Sequence, residues 1–314
     1  MWFALFPFVP VRRLYTVLRR AYDGGMSPGA QKLASRRALL AMVMLTLLAL
    51  SVGGAWWLQH RAEGGIAGGK AVLDEIRRRG VAAFYGQDRS QQWMLGYESG
   101  PSPVGWRLQV LQTDGDTFVG RLRQEFPWER LNVQETWRLN ADATAGDYES
   151  LVTRPNSPVG AQTAISLAGG KVTVQQLYPR FRGKAAAEAP VNYLPEGTIP
   201  AAVQVVAEQQ ARARFRLIYD QIDHTRGIQF RNVTLEYIGT DRTQEGQELR
   251  RVRESGDGGE SVYELDPSGR IVAIHSKSTR WLAVDEDEVR AAFSGVPPIP
   301  EATEPAAEEE GGEF

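Results

Sequence analysis

Between about Gln91 and Trp281 apolar and polar residues alternate with a period of two. Trp106, Leu108 and Val110 alternate with Arg107 and Gln109, and Phe118, Leu122 and Phe126 with Val119, Arg121, Arg123 and Glu125. Leu131, Val133, Trp137 and Leu139 alternate with Asn132, Gln134, Thr136 and Arg138, while Phe215, Leu217 and Tyr219 oppose Arg214 and Arg216. This period predicts antiparallel strands with one apolar face and one wet, arginine-rich face. The segments TDGD (113–116), AGGK (168–171), SGDGGE (255–260) and DPSGR (266–270) have the composition of hairpin turns. Short turns imply a meander, so the expected fold is mainly β (α+β): roughly eight to ten strands in a large curved antiparallel sheet or incomplete barrel.

Other stretches break the alternation. EGGIAGG (63–69) reads as a flexible tether, and Lys70 to Phe84 as a short helix with Leu73, Ile76 and Val81 inward. In NYLPEGTIPAAVQVVAEQQAR, Pro195-Glu196-Gly197 reads as a turn and Thr198 as the cap of a helix through Pro200 to about Gln210. Val203 and Val206 supply its apolar side, expected to cover the concave face of the sheet. VDEDEVRAAFSG predicts a last helix, acidic in its first turn and stopped by Gly295 and Pro297. The proline- and glutamate-rich tail should be disordered.

The pattern at the start of the chain differs again. Ala38 to Leu58 is 21 residues without a charge, long enough at ~1.5 Å per residue to cross the ~30 Å hydrocarbon core of a bilayer. Arg36 and Arg37 close one end, and Trp56 and Trp57 suit the interface at the other. Seven basic residues precede the run, Arg12, Arg13, Arg19, Arg20, Lys32, Arg36 and Arg37, against the single acid Asp23. Only Arg61 and Lys70 follow within its next fifteen residues. The expected protein is therefore a single-pass inner-membrane protein with its N-terminus in the cytoplasm and its β-domain in the periplasm. VRRLYTVLRRAY (11–22) has Arg12, Arg13, Arg19 and Arg20 on one helical face, as in a basic helix lying on an anionic membrane surface. The expected divisions are 1–37 cytoplasmic arm, 38–58 transmembrane helix, 59–85 tether and short helix, 86–295 β-domain and 296–314 acidic tail.

Composition narrows the chemistry. The formal net charge of -2 offers nucleic acid no attraction, and the absence of cysteine excludes disulfides, thiolate metal sites and cysteine nucleophiles. The three histidines, His60, His224 and His275, form no ligand pattern, so neither a metal nor a cofactor is expected. No nucleophile elbow or phosphate-binding loop is present, so no catalytic residue is assigned. His275 reads as a strand residue in phase with Ile271 and Ala273. Glu135 shares its apolar face with Val133 and Trp137, where a carboxylate is desolvated unless a partner answers it.

Four segments, QQWMLGYESG, VQETWRLNADATAGDYESL, NYLPEGTIPAAVQVVA and VYELDPSGRIVAIHS, span about 90 to 280. Together they resemble the bacterial extracytoplasmic β-domains related in shape to the lipoprotein-localisation carriers. The resemblance implies an incomplete antiparallel barrel whose concave apolar side is closed by helices and can hold acyl chains. It carries over no functional residue, and an uncleaved anchor departs from carriers that shuttle. The expected function is a membrane-anchored module for an apolar or envelope ligand, a lipid or lipoprotein, held in a cavity lined by Trp106, Phe118, Val133, Glu135 and Trp137 under Val203 and Val206. The alternative is a scaffold subunit of an envelope complex, with a hydrolase third.

Overall fold

The structure is a computed structural model that describes Met44 and residues 65–85, 90–155, 157–178, 181–223, 227–243 and 246–297. Glu63–Phe314 form one compact unit, and Met1–Ala62 a second of which only Met44 is described. The expected arm and span, with Arg12, Arg13, Arg19, Arg20, Arg36, Arg37, Trp56 and Trp57, lie outside the described residues, as do His60, His224 and the tail from 298 onward. Among the described residues no helix is long and apolar enough to cross a membrane.

The larger unit opens with a helix over residues 65–79 (α1) and a 3-10 turn, Val81–Phe84. Eight strands follow: β1 (Ser90–Tyr97), β2 (Gly105–Asp114), β3 (Thr117–Phe126), β4 (Leu131–Asn140), β5 (Gly146–Arg154), β6 (Ser157–Ala168), β7 (Lys171–Tyr178) and β8 (Phe181–Glu188). After helix α2 (Ile199–Gln209) come β9 (Arg212–Asp223), β10 (Gly227–Arg242), β11 (Glu248–Gly256), β12 (Gly259–Leu265), β13 (Ile271–Ser276) and β14 (Arg280–Val284), then helix α3 (Glu286–Ala292).

All fourteen strands belong to one open antiparallel sheet in the order β8-β7-β6-β5-β4-β3-β2-β1-β14-β13-β12-β11-β10-β9. Two meanders, β1–β8 and β9–β14, are therefore joined at the middle by pairing of β1 with β14. The edge strands β8 and β9 come near each other. The segment leading from β8 to α2 lies along β9: Leu194 N donates to Arg216 O, Arg216 N to Asn192 O and Asn192 Nδ2 to Arg214 O, each at 2.9 Å. Part of an edge that would otherwise present unpaired groups is thus covered.

α2 lies against the inner face, packed on β10, β11 and the 3-10 turn. Ala201 through Ala207 are all buried, with Val203 and Val206 fully so. Alanine and valine suit a helix that touches neighbours on every side, because their lack of bulk allows close backbone approach. Thr198 precedes it as expected, but its hydroxyl donates to Pro195 O at 2.5 Å and caps no helical amide. α3 has a capping box, Asp285 with Glu288, and packs Val289 and Phe293 with Trp93, Leu95, Trp106, Leu108 and Val110 of β1 and β2.

Three expectations change. There are fourteen strands rather than eight to ten; the alanine-rich β8 and the short β13 and β14 carry weak strand signals. The tether at 63–69 is helical from Gly65 onward. Its glycines serve contact rather than flexibility: a Cβ on Gly68 would stand 2.4 Å from Arg212 O, and one on Gly69 2.1 Å from Arg214 O, so α1 crosses β9 backbone against backbone. Finally, Trp106 belongs to the cluster beneath α3, on the face opposite to that covered by α2. Alternation separates the two faces of β2 but says nothing of which one curves inward.

The glycine contact gives a sign test. On an exposed helix Gly→Ala stabilises by up to ~1 kcal/mol, whereas a Cβ forced on a carbonyl costs about 1–3 kcal/mol as overpacking. Gly69→Ala should lower the melting temperature of the protein, while Gly100→Ala, whose added Cβ meets nothing within 4 Å, should leave it unchanged. A stabilised Gly69→Ala variant contradicts the packing of α1 on β9.

Candidate functional site

The cavity left beside α2 is the candidate site. It measures about 690 Å³, lies between the α2 end of the concave face and the strands in the middle of the sheet, and has both apolar and polar walls. The register explains which side chains reach it. Met94 pairs with Arg107, Arg107 with Gln124, Gln109 with Leu122 and Leu122 with Glu135, so these side chains share one face across β1 to β4. From the other meander, Tyr263 pairs with Ile274 and Ile274 with Trp281. All of these line the cavity, joined by Ile199, Pro200 and Gln204 of α2.

Trp137 forms part of the wall and is 4% exposed. Its indole lies between two glycines: a Cβ on Gly120 would come within 2.1 Å of the ring, and one on Gly197 within 2.4 Å. Gly197 has φ +85, a conformation that suits glycine. Tyr85 stacks on Phe118 at 4.8 Å between centroids and donates its hydroxyl to Gly197 O at 2.9 Å. Gln204 Nε2 donates to Phe84 O at 2.9 Å, and Arg79 pairs with Glu208 at 2.6 Å. The turn before α2 and the helix itself are thus clamped to the sheet by aromatic packing and hydrogen bonds.

A polar belt runs through the interior next to the cavity. Tyr263 donates to Glu254 Oε2 at 2.5 Å, and Tyr193 to Glu196 Oε2 at 2.6 Å. Glu135 interacts with the charge of Arg107 and with the Tyr148 hydroxyl, and Arg231 lies within electrostatic reach of both Glu196 and Tyr263. Burial pushes the phenols of Tyr85, Tyr148, Tyr193 and Tyr263 above the ordinary tyrosine value. Burial also raises the Glu196 carboxyl, against the hydrogen bond from Tyr193, and lowers the Arg107 guanidinium, against the charge of Glu135. Two buried donors on the cavity wall, Arg107 Nε and Trp137 Nε1, meet no acceptor among the described residues.

Of the seven residues expected to hold a ligand, the cavity brings together Glu135 and Trp137. Phe118 lies in the core behind them with Val203 and Val206, and Val133 stands on the same face of β4 one pairing further from Trp137. Trp106 faces the other way under α3. Arg107, Tyr148, Tyr193, Glu196, Arg231, Glu254 and Tyr263 were not anticipated; Arg107 was assigned to the wet face because it alternates with tryptophan and leucine. His275 Nε2 stands 3.3 Å from Glu264 Oε2, and on β13 it points opposite to Ile274, away from the cavity. A bulge where Leu265 pairs with Ile271 takes Ile271 out of phase with His275 and onto the cavity wall. Among the described residues no group of three or more acidic or histidine side chains could hold a metal ion.

No protein-family model matches the chain, and no curated protein matches it. A DUF1089 family protein from Pseudomonas aeruginosa, known from its crystal structure, is similar over 56% of this chain and 90% of its own at 16% identity. The TM-score is 0.30, a likeness too loose to place any residue of the site.

The raised Glu196 carboxyl has a measurable consequence. The folded protein holds this proton more tightly than the unfolded chain does, so the contribution of Glu196 to stability is greatest at low pH. It falls as pH rises from the ordinary 4.5 through the raised folded value. Glu196→Gln keeps an acceptor for Tyr193 and cannot ionise. Denaturant titrations from acid to neutral pH should show a flatter stability profile for this variant than for wild type. Parallel profiles would mean that Glu196 ionises as readily in the fold as outside it.

Proposed function

We propose that the protein is a membrane-anchored binding module: a single span within 38–58 with the N-terminus in the cytoplasm, and a periplasmic half-barrel that holds one amphipathic envelope ligand, such as a lipid or the acylated end of a lipoprotein. The observation that carries this reading is the cavity itself, whose volume of about 690 Å³ falls within the ~300–1,000 Å³ usual for sites that enclose small molecules. Met94, Leu122, Ile199 and Ile274 offer hydrocarbon contact, while Arg107, Gln109 and Gln124 offer polar contact. A filled core would need neither the space nor the unpartnered donors. The charge-free run 38–58 and the basic residues before it support the anchor and its orientation.

A scaffold role is the second reading, favoured by Trp128, which stands 83% exposed in the β3–β4 hairpin. An exposed tryptophan is a common anchor for a protein partner. Hydrolysis has less support, because Glu135 is occupied by Arg107 and Tyr148.

Native mass spectrometry of the full-length protein released from neutral detergent tests the first reading. A bound species of lipid mass is expected on wild type and should disappear from Ile274→Trp, which fills the cavity from its wall. An empty wild-type protein speaks for the scaffold. A reporter fused after Phe314 should be active only outside the cytoplasm, and activity inside would reverse the orientation.

A further inference from the structure

The polar end of the cavity is built for charge of one sign. Its charged lining residues are Arg107, Arg270 and Glu135. With all three ionised the lining carries one net positive charge, in a partly apolar space where charges are less screened than in water. Arg270 is exposed and stands at the rim, whereas Arg107 is held inward on β2.

Arg107 lines the cavity, and its guanidinium is short of acceptors among the described residues. Nη2 reaches Gln109 Oε1 at 3.5 Å, a long contact, and Nε is shut off from solvent with no acceptor. Glu135 lies two strands away, on β4, in register with Gln109 rather than with Arg107, and takes part of its own interaction from Tyr148 on β5. The planar fork of guanidinium N–H donors on Arg107 can match two oxygens of a carboxylate or phosphate, a fit that lysine cannot reproduce. A half-buried guanidinium left short of acceptors loses part of its hydration, and an anion placed here offsets that loss. Burial already lowers the Arg107 pKa, and a bound anion opposes that effect. Around this point Met94, Leu122, Ile274 and Trp281 provide the apolar wall.

We propose that Arg107 is the head-group recognition residue of the cavity and that its ligand is an amphiphile with a single anionic head, a carboxylate or a phosphate, on a hydrocarbon chain. This inference rests on the binding function proposed above and adds the charge of the ligand to it.

Displacement of a fluorescent, carboxylate-headed fatty acid tests it, with the full chain in phosphatidylcholine vesicles and empty vesicles as the blank. Octanoate, octyl phosphate, octan-1-ol and inorganic phosphate compete in turn. Octanoate and octyl phosphate should displace the probe at concentrations about tenfold or more below octan-1-ol, the effect of one charge-assisted hydrogen bond. Inorganic phosphate should compete poorly. Arg107→Gln should erase the anionic preference without changing the affinity for octan-1-ol. Arg107→Lys, which keeps the charge should the neutral variant misfold, should reduce the preference severalfold.

If octan-1-ol competes as well as octanoate, the charge assignment fails while ligand binding stands. If neither the probe nor any competitor binds, the binding function fails and this inference with it. Equal competition by inorganic phosphate and octyl phosphate would make the site one for a free anion and overturn the amphiphile. A preference unchanged in Arg107→Lys and Arg107→Gln would remove Arg107 from recognition.

Discussion

The fold depends on burying the inner face of a fourteen-stranded sheet against a helix that has no exposed side of its own. α2 meets this constraint with small residues, because Ala201, Ala202, Val203, Val205, Val206 and Ala207 are all buried. A bulkier sequence would push the 3-10 turn away on one side or the sheet on the other. The clamp at its start follows from the same closeness. Trp137 fits between Gly120 and Gly197 only because neither glycine has a side chain, and the Tyr85 hydroxyl then reaches Gly197 O. Beside Ile199 and Pro200 at the start of α2 the described residues leave part of the concavity open, and that gap is the candidate site.

The same concave face is unusual in its electrostatics. Three carboxylates, Glu135, Glu196 and Glu254, and two guanidiniums, Arg107 and Arg231, interact there with three phenols, Tyr148, Tyr193 and Tyr263, or with each other. Removing such groups from water costs several kcal/mol per ion, repaid only by good partners. Burial raises the Glu196 carboxyl, which lowers the cost of holding this group out of water. Hydrogen bonds from Tyr193 to Glu196 and from Tyr263 to Glu254 supply further compensation. An apolar interior would have been easier to stabilise. On the proposed binding function, the charge retained here serves recognition rather than folding.

Much of the architecture was legible from period and punctuation. The turns at 113–116, 168–171, 255–260 and 266–270 fall between strands, α2 and α3 lie within a residue or two of their expected bounds, and Val203 and Val206 are buried. The site was less legible, for identifiable reasons. Period two assigns Trp106 and Arg107 to opposite faces, yet both faces of β1–β2 are covered, one by α3 and the other by the cavity and α2, so polarity could not say which was inner. Gly68 and Gly69 look like a linker because composition carries no record of the β9 carbonyls that require them. Glu196, set in a proline-glycine turn, gives no sign that the turn is pressed into the interior.

The order of the strands decides when the site can exist. β1 pairs with β14, so the first and last strands of the sheet meet at its centre, while α2 enters between the two meanders at its edges. Arg107 and Glu135 come from the first meander, Tyr263, Ile274 and Trp281 from the second, and Gln204 from the helix between them. Neither meander alone encloses the cavity. The closing contacts join residues far apart in sequence, and such contacts bear a loop-closure cost before they contribute. The cavity is thus available only to the completed fold, and any ligand that bound only that form would stabilise it by mass action. On the proposed binding function, occupancy and the integrity of the β1–β14 seam are one equilibrium seen from two ends.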